Sequence, residues 1–341
     1  MSEKQARRVV VFGATGHLGQ QLIDRLDESD WPIAELVGVA SADSAGLEFD
    51  FRGESLDVQS EWPVLKGRDL VFVCTPPAEA LEIVREALRA EVPCIDCSGS
   101  LTEQEDVPLA TVGSRAAEGA EVSLAPLLPI ASGTTLAWLP ILESLDVSRV
   151  VGMVSSSASA RGRDGVVALS QESIALFNQD EAPDHGPAGQ AVAFDVIPGG
   201  GIDCERVERE CRRLLGESTR VAVVSTQVPT FVGEGAWLSL ELSEPTSLES
   251  LRARLDERLG VCVVADGFGS RGLRVVGEDV VEPIGPTLRD AIGTDEVLVG
   301  RIEADASLPE GQGYRLWIAF DPLRLVADEA LRVGARRLGL A

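Results

Sequence analysis

A glycine-rich turn near the start of the sequence has the spacing of a phosphate-binding loop. It follows the β-branched run at 8–12 and opens a segment whose apolar residues recur at helical spacing. Glycines permit a tight exit from the strand and a close approach of backbone amides to a pyrophosphate, which the positive end of the helix dipole also attracts. The pattern predicts a dinucleotide site, with a turn kept only for packing as the alternative. The residues expected at the nucleotide are Gly13, Thr15, Gly16, His17, Leu18 and Gly19.

Asp43, which follows the second predicted strand, bears on the choice of nucleotide. Beside an adenosine ribose, its carboxylate would accept a hydrogen bond from the 2′-hydroxyl and repel a 2′-phosphate, which favours NAD over NADP. A role in capping a turn is the alternative, and a protein that binds neither nucleotide also stays open. Within the glycine turn, His17 is expected to contribute its backbone amide and to expose its ring. Three further residues expected at the nucleotide are Ser41, Thr75 and Ser98.

The six cysteines are scattered and do not have the spacing of a disulfide framework. Cys94 and Cys97 have the CxxC spacing of a redox pair or of half a zinc site. No second CxxC and no paired histidines follow them, and the apolar run before Cys94 is typical of a strand end. We therefore expect buried thiols and no metal site.

Strand and helix patterns alternate over the first hundred residues, which predicts a doubly wound (Rossmann) α/β domain with a mostly parallel sheet. Its strands are predicted at 8–12, 35–40, 69–74 and 92–96, with a hairpin within 47–58 and a helix at 78–90. Beyond Pro126, longer strands and broader connections indicate an α+β domain with a mainly antiparallel sheet. Strands are predicted there at 149–155, 220–225, 231–242, 296–304 and 314–320, and helices at 133–145, 204–215, 247–259 and 323–338.

The excess of acidic over basic side chains argues against some classes of binding partner. Thirty basic against fifty-five acidic side chains give a formal charge of −25, which argues against binding to nucleic acid or to an anionic membrane. The only lysines are Lys4 and Lys66, a composition that a salt-rich cytoplasm would favour, with compositional drift as the alternative. No run approaches the ~20 apolar residues of a membrane span, and the first residues do not resemble a signal peptide. We expect a cytoplasmic protein.

With these features in place, the chain resembles the aspartate-semialdehyde dehydrogenase family over nearly its whole length. The segments that carry the resemblance are 13–16, 40–46, 194–198, 232–233, 299–302 and 316–319. The resemblance implies a dinucleotide-binding domain at 1–125 completed by 322–341, and a dimerisation and substrate domain at 126–321. It also implies a homodimer or higher homo-oligomer and a small-molecule ligand.

The family's catalytic residues are not found at the matching positions. Family enzymes reductively dephosphorylate aspartyl phosphate: a cysteine thiolate forms a thioester, NADPH supplies a hydride and a histidine moves the proton. Their Asn-Pro-Asn-Cys-Ser-Thr turn best matches 125–130, which places Leu128 at the cysteine position. A shift of register restores no thiol, because no cysteine lies between Cys97 and Cys204, and the nearest hydroxyl is Ser132. The histidine position is occupied by Glu234.

Other positions to which the family assigns substrate or cofactor contacts have also changed. The substrate-clamping arginine matches Gln227, and the orienting glutamine matches Ser156 or Ser157. The phosphate-binding arginine is missing from 100–109, which carries acidic residues instead. The arginine that usually follows the second strand matches Asp43, which weakens the case for NADP in particular.

Three functions are compatible with the sequence. A catalytically degenerate family member, a pseudoenzyme, would act through binding or assembly and could still bind NAD or NADP. An oxidoreductase for a neutral or cationic carbonyl compound would use Glu234 as acid or base if burial raised its pKa; the structural alternative is an exposed or salt-bridged glutamate. A heteromeric partner of a true family enzyme would use the dimerisation surface. The combined loss of thiol, imidazole and both arginines favours the first function.

Overall fold

The computed structural model describes residues 6–44, 46–112, 125–181, 185–264 and 285–340, and the backbone of 274–276 and 279–281. The chain folds into two compact units: the N-terminal unit (Met1–Ser132 with Val326–Ala341) and the central unit (Gly133–Leu325). The expected start of the second domain at 126 is too early, because residues 127–129 pair with the sheet of the N-terminal unit. Among the helices described, none combines the length and apolar character needed to cross a bilayer.

The N-terminal unit contains a parallel sheet and a separate antiparallel hairpin. Its strands are β1 (Arg7–Phe12), β2 (Ile33–Val39), β3 (Glu48–Phe51), β4 (Glu54–Asp57), β5 (Leu70–Val73), β6 (Cys94–Asp96) and β7 (Leu127–Pro129). The sheet has the order β2-β1-β5-β6-β7 with every pairing parallel, and β3 pairs with β4 in the hairpin. Its helices are α1 (His17–Glu28), α2 (Pro77–Arg89) and the part of α8 (Pro322–Leu338) from Val326 onward.

Helices cover both faces of this sheet, which explains why the buried parts of its strands are mostly apolar. One face, with Val10, Val71 and Val73, forms a core with α2. On the other face α8 packs so closely that a Cβ on Gly334 would lie within 3.2 Å of Ile95 and Leu70 side-chain atoms. The predicted doubly wound α/β fold is thereby confirmed.

A buried carboxylate shapes the loop that follows β6. Asp96 is 0% exposed, and its Oδ1 accepts hydrogen bonds from the backbone amide and the hydroxyl of Ser98 at 2.9 and 2.5 Å. Its Oδ2 accepts from the Ser100 hydroxyl at 3.1 Å and from the Leu101 amide at 3.3 Å. One side chain therefore fixes the loop at the carboxyl end of β6.

The central unit is an α+β structure built on a mixed, mainly antiparallel sheet, as predicted. Its helices are α3 (Gly133–Leu145), α4 (Gly162–Asn178), α5 (Cys204–Leu215), α6 (Leu248–Asp256), α7 (Leu288–Ala291) and the start of α8. Its strands are β8 (Val147–Ser156), β9 (Ile197–Pro198), β10 (Arg220–Gln227), β11 (Glu234–Leu242), β12 (Val261–Val263), β13 (Arg274–Val276), β14 (Asp279–Val281), β15 (Val297–Ala304) and β16 (Gly313–Phe320). The main sheet has the order β12-β15-β16-β11-β8-β10-β9.

The two faces of this sheet differ in burial. Side chains from α3, α5 and α6 form a core with one face, around the fully buried Trp138. The opposite face carries a row of directly paired residues from neighbouring strands, Val224, Met153, Trp237 and Trp317. The first three are 56%, 43% and 37% exposed, so within the chain this apolar row is largely open to solvent.

Helix α4 was not predicted from the sequence. Its apolar side chains do not lie on one face: Leu169 is buried, whereas Val167, Ile174 and Phe177 are exposed. A helix that is apolar on several sides lacks the 3.6-residue period by which amphipathic helices are recognised.

We expect Asp96→Asn to lower the free energy of unfolding by about 2–3 kcal/mol, because one acceptor oxygen becomes a donor that faces other donors. Urea unfolding at constant pH measures the change. Glu105→Gln, which removes an exposed charge from the same loop, serves as control and should change stability by less than about 0.5 kcal/mol. Equal stability of the Asn variant and the wild type would show that Asp96 does not hold the loop.

Candidate functional site

The residues predicted to contact a nucleotide converge on one edge of the parallel sheet. Gly13 follows β1, Ser41 follows β2, Thr75 follows β5 and Ser98 follows β6. Because all four strands run in the same direction, their carboxyl ends meet at the same edge, where nucleotides bind in folds of this class. The fold thus brings together segments that are far apart in the sequence.

The glycine turn packs without room for side chains. A Cβ on Gly13, whose φ is +82°, would lie 2.6 Å from the Cys74 carbonyl oxygen, and a Cβ on Gly19 would lie 2.1 Å from the Gly13 oxygen. Gly16 is the N-cap of α1 and provides no capping side chain, and the first turn carries no acidic residue. The positive end of the helix is therefore available to an anion at this turn.

The second loop of the site is joined to the first by a hydrogen bond. The hydroxyls of Thr15 and Ser44 lie 3.1 Å apart, which connects the glycine turn with the short 3-10 helix Ala42–Ser44. Asp43 lies in that helix and its side chain is exposed, as is Ser41. A carboxylate here follows the carboxyl end of β2, the position at which this fold class contacts a ribose.

The surroundings of the Thr75 hydroxyl indicate whether the residues at this edge of the sheet fit a dinucleotide. Its Oγ1 is buried and has no hydrogen-bond partner among the described residues, and its backbone nitrogen is 3.0 Å from the place a Gly13 Cβ would take. A buried hydroxyl without a partner is unfavourable unless a ligand or water completes it. The residues present therefore fit a dinucleotide. Ser98 differs, because its hydroxyl donates to Asp96, and the His17 ring is half-buried rather than exposed.

Three cysteines, Cys74, Cys94 and Cys97, lie near this edge, and two of them lack the properties of a nucleophile. All six cysteines are free thiols. Cys97 forms a hydrogen bond with Cys74 of the neighbouring strand end, and this contact together with burial raises the pKa of its thiol well above the usual range. Burial also raises the pKa of Cys94. Because the thiolate is the reactive form, raised pKa values make both residues poor nucleophiles at neutral pH.

Leu128 lies in the interior of a strand and not in a turn. It is 0% exposed and pairs with Ile95 as part of β7. The connection from β7 to α3 comprises residues 130–132, of which Ser132 alone carries a hydroxyl. Neither the strand nor the connection holds a thiol.

Three of the other predicted positions gather at one edge of the sheet in the central unit. Gln227 ends β10 and pairs with Ser156, which ends β8. Glu234 begins β11, and the next residue, Gly235, pairs with Ser155 of β8. Three neighbouring strands thus place Gln227, Ser156 and Glu234 side by side.

Glu234 is buried and bonded to a hydroxyl. The side chain is 4% exposed, and Oε2 accepts a hydrogen bond from Thr134 at 2.9 Å. Burial raises the pKa of Glu234 to about 7; the Thr134 bond opposes this shift and the nearby Asp321 carboxylate adds to it. No basic side chain of the described residues pairs with Glu234, so an exposed or salt-bridged glutamate is not what the structure contains.

Gln227 contacts an arginine that sequence reasoning missed. Arg161 Nε donates to Gln227 Oε1 at 2.8 Å, and the Ser156 hydroxyl donates to the carbonyl oxygen of Gly200 at 3.2 Å. In the sequence, Arg161 follows the serine-rich segment 155–159 and lies far from 227. Only the parallel pairing of β8 with β10 brings the two together, and no periodicity in the sequence encodes that pairing.

Comparison with family models matches both units. Residues 8–117 match the semialdehyde dehydrogenase NAD binding domain, and residues 139–325 match the semialdehyde dehydrogenase dimerisation domain.

Similar proteins span nearly the whole chain. An aspartate-semialdehyde dehydrogenase of Legionella pneumophila is 27% identical over 93% of this chain and 91% of its own length. A USG-1 protein homolog of Pseudomonas aeruginosa is 29% identical over 94% of each. The solved structure of a probable aspartate-semialdehyde dehydrogenase from Pseudomonas aeruginosa superposes with a TM-score of 0.83 at 28% identity, covering 97% of this chain and 98% of that one. The glycine turn, the two folds and these matches together place the chain in the semialdehyde dehydrogenase family.

Proposed function

We propose that this chain is a nicotinamide-dinucleotide-binding member of its family that does not carry out the phosphate-dependent thioester reaction. The observation that carries the proposal is the chemistry of 127–132. A thioester requires a thiolate beside the substrate carbonyl, and this segment offers a buried leucine and a serine. A serine hydroxyl is a weak nucleophile unless an adjacent base removes its proton.

The changes in the central unit support the same conclusion. Family enzymes move a proton with a histidine and hold an anionic substrate with an arginine; here those positions carry Glu234 and Gln227. The glutamate adds negative charge whenever it is ionised, and the amide carries no charge. Nucleophile, base and clamp are thus replaced together, which is the pattern of a catalytically degenerate protein.

The nucleotide site supports retained binding. The turn at Gly13 and Gly19, the uncapped N-terminus of α1 and the unpaired Thr75 hydroxyl would hold the pyrophosphate, while Asp43 would accept from a ribose hydroxyl and favour NAD over NADP. When bound, a nicotinamide nucleotide accepts or donates a hydride.

An oxidoreductase acting on another carbonyl compound is the second candidate, and the state of Glu234 favours it. A buried carboxyl with a pKa of about 7 changes protonation near neutral pH, as a general acid or base must. The proton that is transferred would be bound by the Glu234 carboxyl, which the hydrogen bond from the Thr134 hydroxyl orients.

We also propose that the chain forms a homo-oligomer. The match to a dimerisation domain supports homo-oligomerisation, and we propose the apolar row of Val224, Met153, Trp237 and Trp317 as the surface on which a second copy packs. A row that pairs directly across four strands presents a continuous apolar strip.

We expect NAD titration to quench the fluorescence of the five tryptophans, and no phosphate-dependent reduction of NAD or NADP to occur with aspartate semialdehyde. Thr75→Val should weaken NAD binding roughly two- to tenfold, because it removes one buried hydroxyl at constant shape, whereas Thr75→Ser should bind like the wild type. Phosphate-dependent turnover at rates of about 1 s⁻¹ or faster would contradict the loss of activity. Failure of both nucleotides to bind would contradict the proposed site.

We expect the stability difference between wild type and Glu234→Gln to depend on pH. Between pH 4.5 and 7 the unfolded state releases the Glu234 proton while the folded state retains it, so the stability contributed by this group is present at low pH and is lost as the pH rises through about 7. From pH 5 to pH 8 the wild type should lose about 2–3 kcal/mol relative to the Gln variant in urea unfolding.

For the second candidate, NAD-dependent oxidation of an aldehyde substrate should stop in Glu234→Gln and continue in Glu329→Gln. Glu329 is the matched control, because burial raises its pKa to about 7 as well and it lies in the N-terminal unit. Equal turnover in both variants would remove Glu234 from any reaction.

We expect Val224→Asp to dissociate the oligomer, because a two-fold contact would bury the new charge twice. Sedimentation equilibrium should show the dissociation constant rising by about a hundredfold or more. The control is Leu259→Asp, since Leu259 is 94% exposed and lies outside the row. An oligomer that tolerates Val224→Asp but not Leu259→Asp would place the interface elsewhere.

A further inference from the structure

At the edge of the central sheet lies Arg161, whose guanidinium has more N–H donors than the hydrogen bonds it makes. Arg161 ends the 3-10 helix Ala158–Arg161 and is half-buried. Its Nε donates to Gln227 Oε1 at 2.8 Å and its Nη1 to the Pro187 carbonyl oxygen at 3.1 Å. A guanidinium carries five N–H donors, so one on Nη1 and two on Nη2 are left. No carboxylate in the described part of the chain pairs with Arg161, although the sequence has fifty-five acidic and thirty basic residues.

The side chain that holds Arg161 has a spare donor of its own. Gln227 is 1% exposed, and its amide must turn the oxygen toward Arg161, because a guanidinium has no acceptor. The amide nitrogen then points away, and no described residue accepts from it. This N–H can donate to an acceptor on a ligand or on a water molecule.

The backbone at Gly200 passes close to the Arg161–Gln227 pair. A Cβ on Gly200, whose φ is +97°, would lie 2.5 Å from Arg161 Nη2, so only a glycine lets the chain pass here. The Ser156 hydroxyl holds this turn through the Gly200 carbonyl oxygen at 3.2 Å. The guanidinium is therefore fixed by contacts on several sides before any ligand arrives, which reduces the entropy cost of binding.

We propose that Arg161 and Gln227 bind the carboxylate group of a small molecule, Arg161 supplying the positive charge that Gln227 lacks. A planar guanidinium fork matches the two oxygens of a carboxylate, and the amide N–H provides a further donor. A doubly charged phosphate suits the site less, since Asp164 in the first turn of α4 adds a negative charge nearby and the chain carries −25 overall. The ligand of the proposed function would then be a carboxylate at this end and not a neutral or cationic compound.

The inference rests on the proposed function only in naming the ligand of that site, and its test needs no dinucleotide. Acetate, succinate, the neutral analogue succinamide and inorganic phosphate are titrated into the full chain, and binding is followed by ligand-observed NMR. We expect succinate and acetate to bind with millimolar dissociation constants and succinamide not to bind. Arg161→Gln should weaken succinate roughly tenfold or more, and Arg161→Lys should weaken it less, because it keeps the charge and loses the fork.

Two further variants distinguish binding at the Arg161–Gln227 site from a general effect of charge on ligand binding. Gln227→Glu is nearly isosteric and would pair with Arg161, so succinate binding should be lost while near-ultraviolet circular dichroism stays native. Arg163→Gln removes an exposed charge two residues away and should leave binding unchanged. Unchanged binding in Arg161→Gln or Gln227→Glu, an equal loss in Arg163→Gln, tighter binding of phosphate than of succinate, or no succinate binding to the wild type would each overturn the proposal. A failed NAD titration would contradict the proposed function and leave this result standing.

Discussion

The close packing of the glycine turn is the constraint on which the nucleotide site depends. The Gly13 α-carbon lies against the end of the neighbouring strand, and the Gly19 α-carbon lies against the Gly13 carbonyl oxygen, both at distances that exclude a Cβ. A side chain at either position would push α1 away from β1 and β5 and withdraw the backbone amides that an anion needs. The turn has this geometry in a protein for which we propose nucleotide binding without the thioester chemistry of its family.

The changes in the central unit follow a consistent physical direction. At the position that the family resemblance assigns to a histidine, the structure has a buried carboxyl whose pKa is raised to about 7. At the position that it assigns to the clamp arginine, the sequence has the uncharged amide of Gln227. Positive charge has not vanished from this edge of the sheet, because Arg161 reaches Gln227 from another element. We therefore propose that this site combines a carboxyl that titrates near neutral pH with an arginine that can bind an anion, in place of the groups that the family uses for thioester chemistry.

Much of the fold could be predicted because local pattern and tertiary structure agree. The buried part of β1 and the whole of β5 are continuous apolar runs, and the glycine turn lies where a parallel strand meets a helix. The prediction failed for α4, whose exposed Phe177 and Ile174 hide its helical period, and for Leu128, which was expected in a turn and lies in a strand. The Arg161–Gln227 pair could not be predicted, because it depends on strand pairing between distant segments. The surroundings of Glu234 could not be predicted for the same reason, because its neighbours Thr134 and Asp321 are remote in the sequence.

We propose that no cysteine of this chain forms an acyl intermediate. Intact-protein mass spectrometry tests it directly, after incubation with aspartate semialdehyde and NAD without phosphate, under acid quench to preserve a thioester. We expect the protein mass to stay unchanged. A covalent acyl adduct that peptide mapping assigns to any of the six cysteines would contradict it.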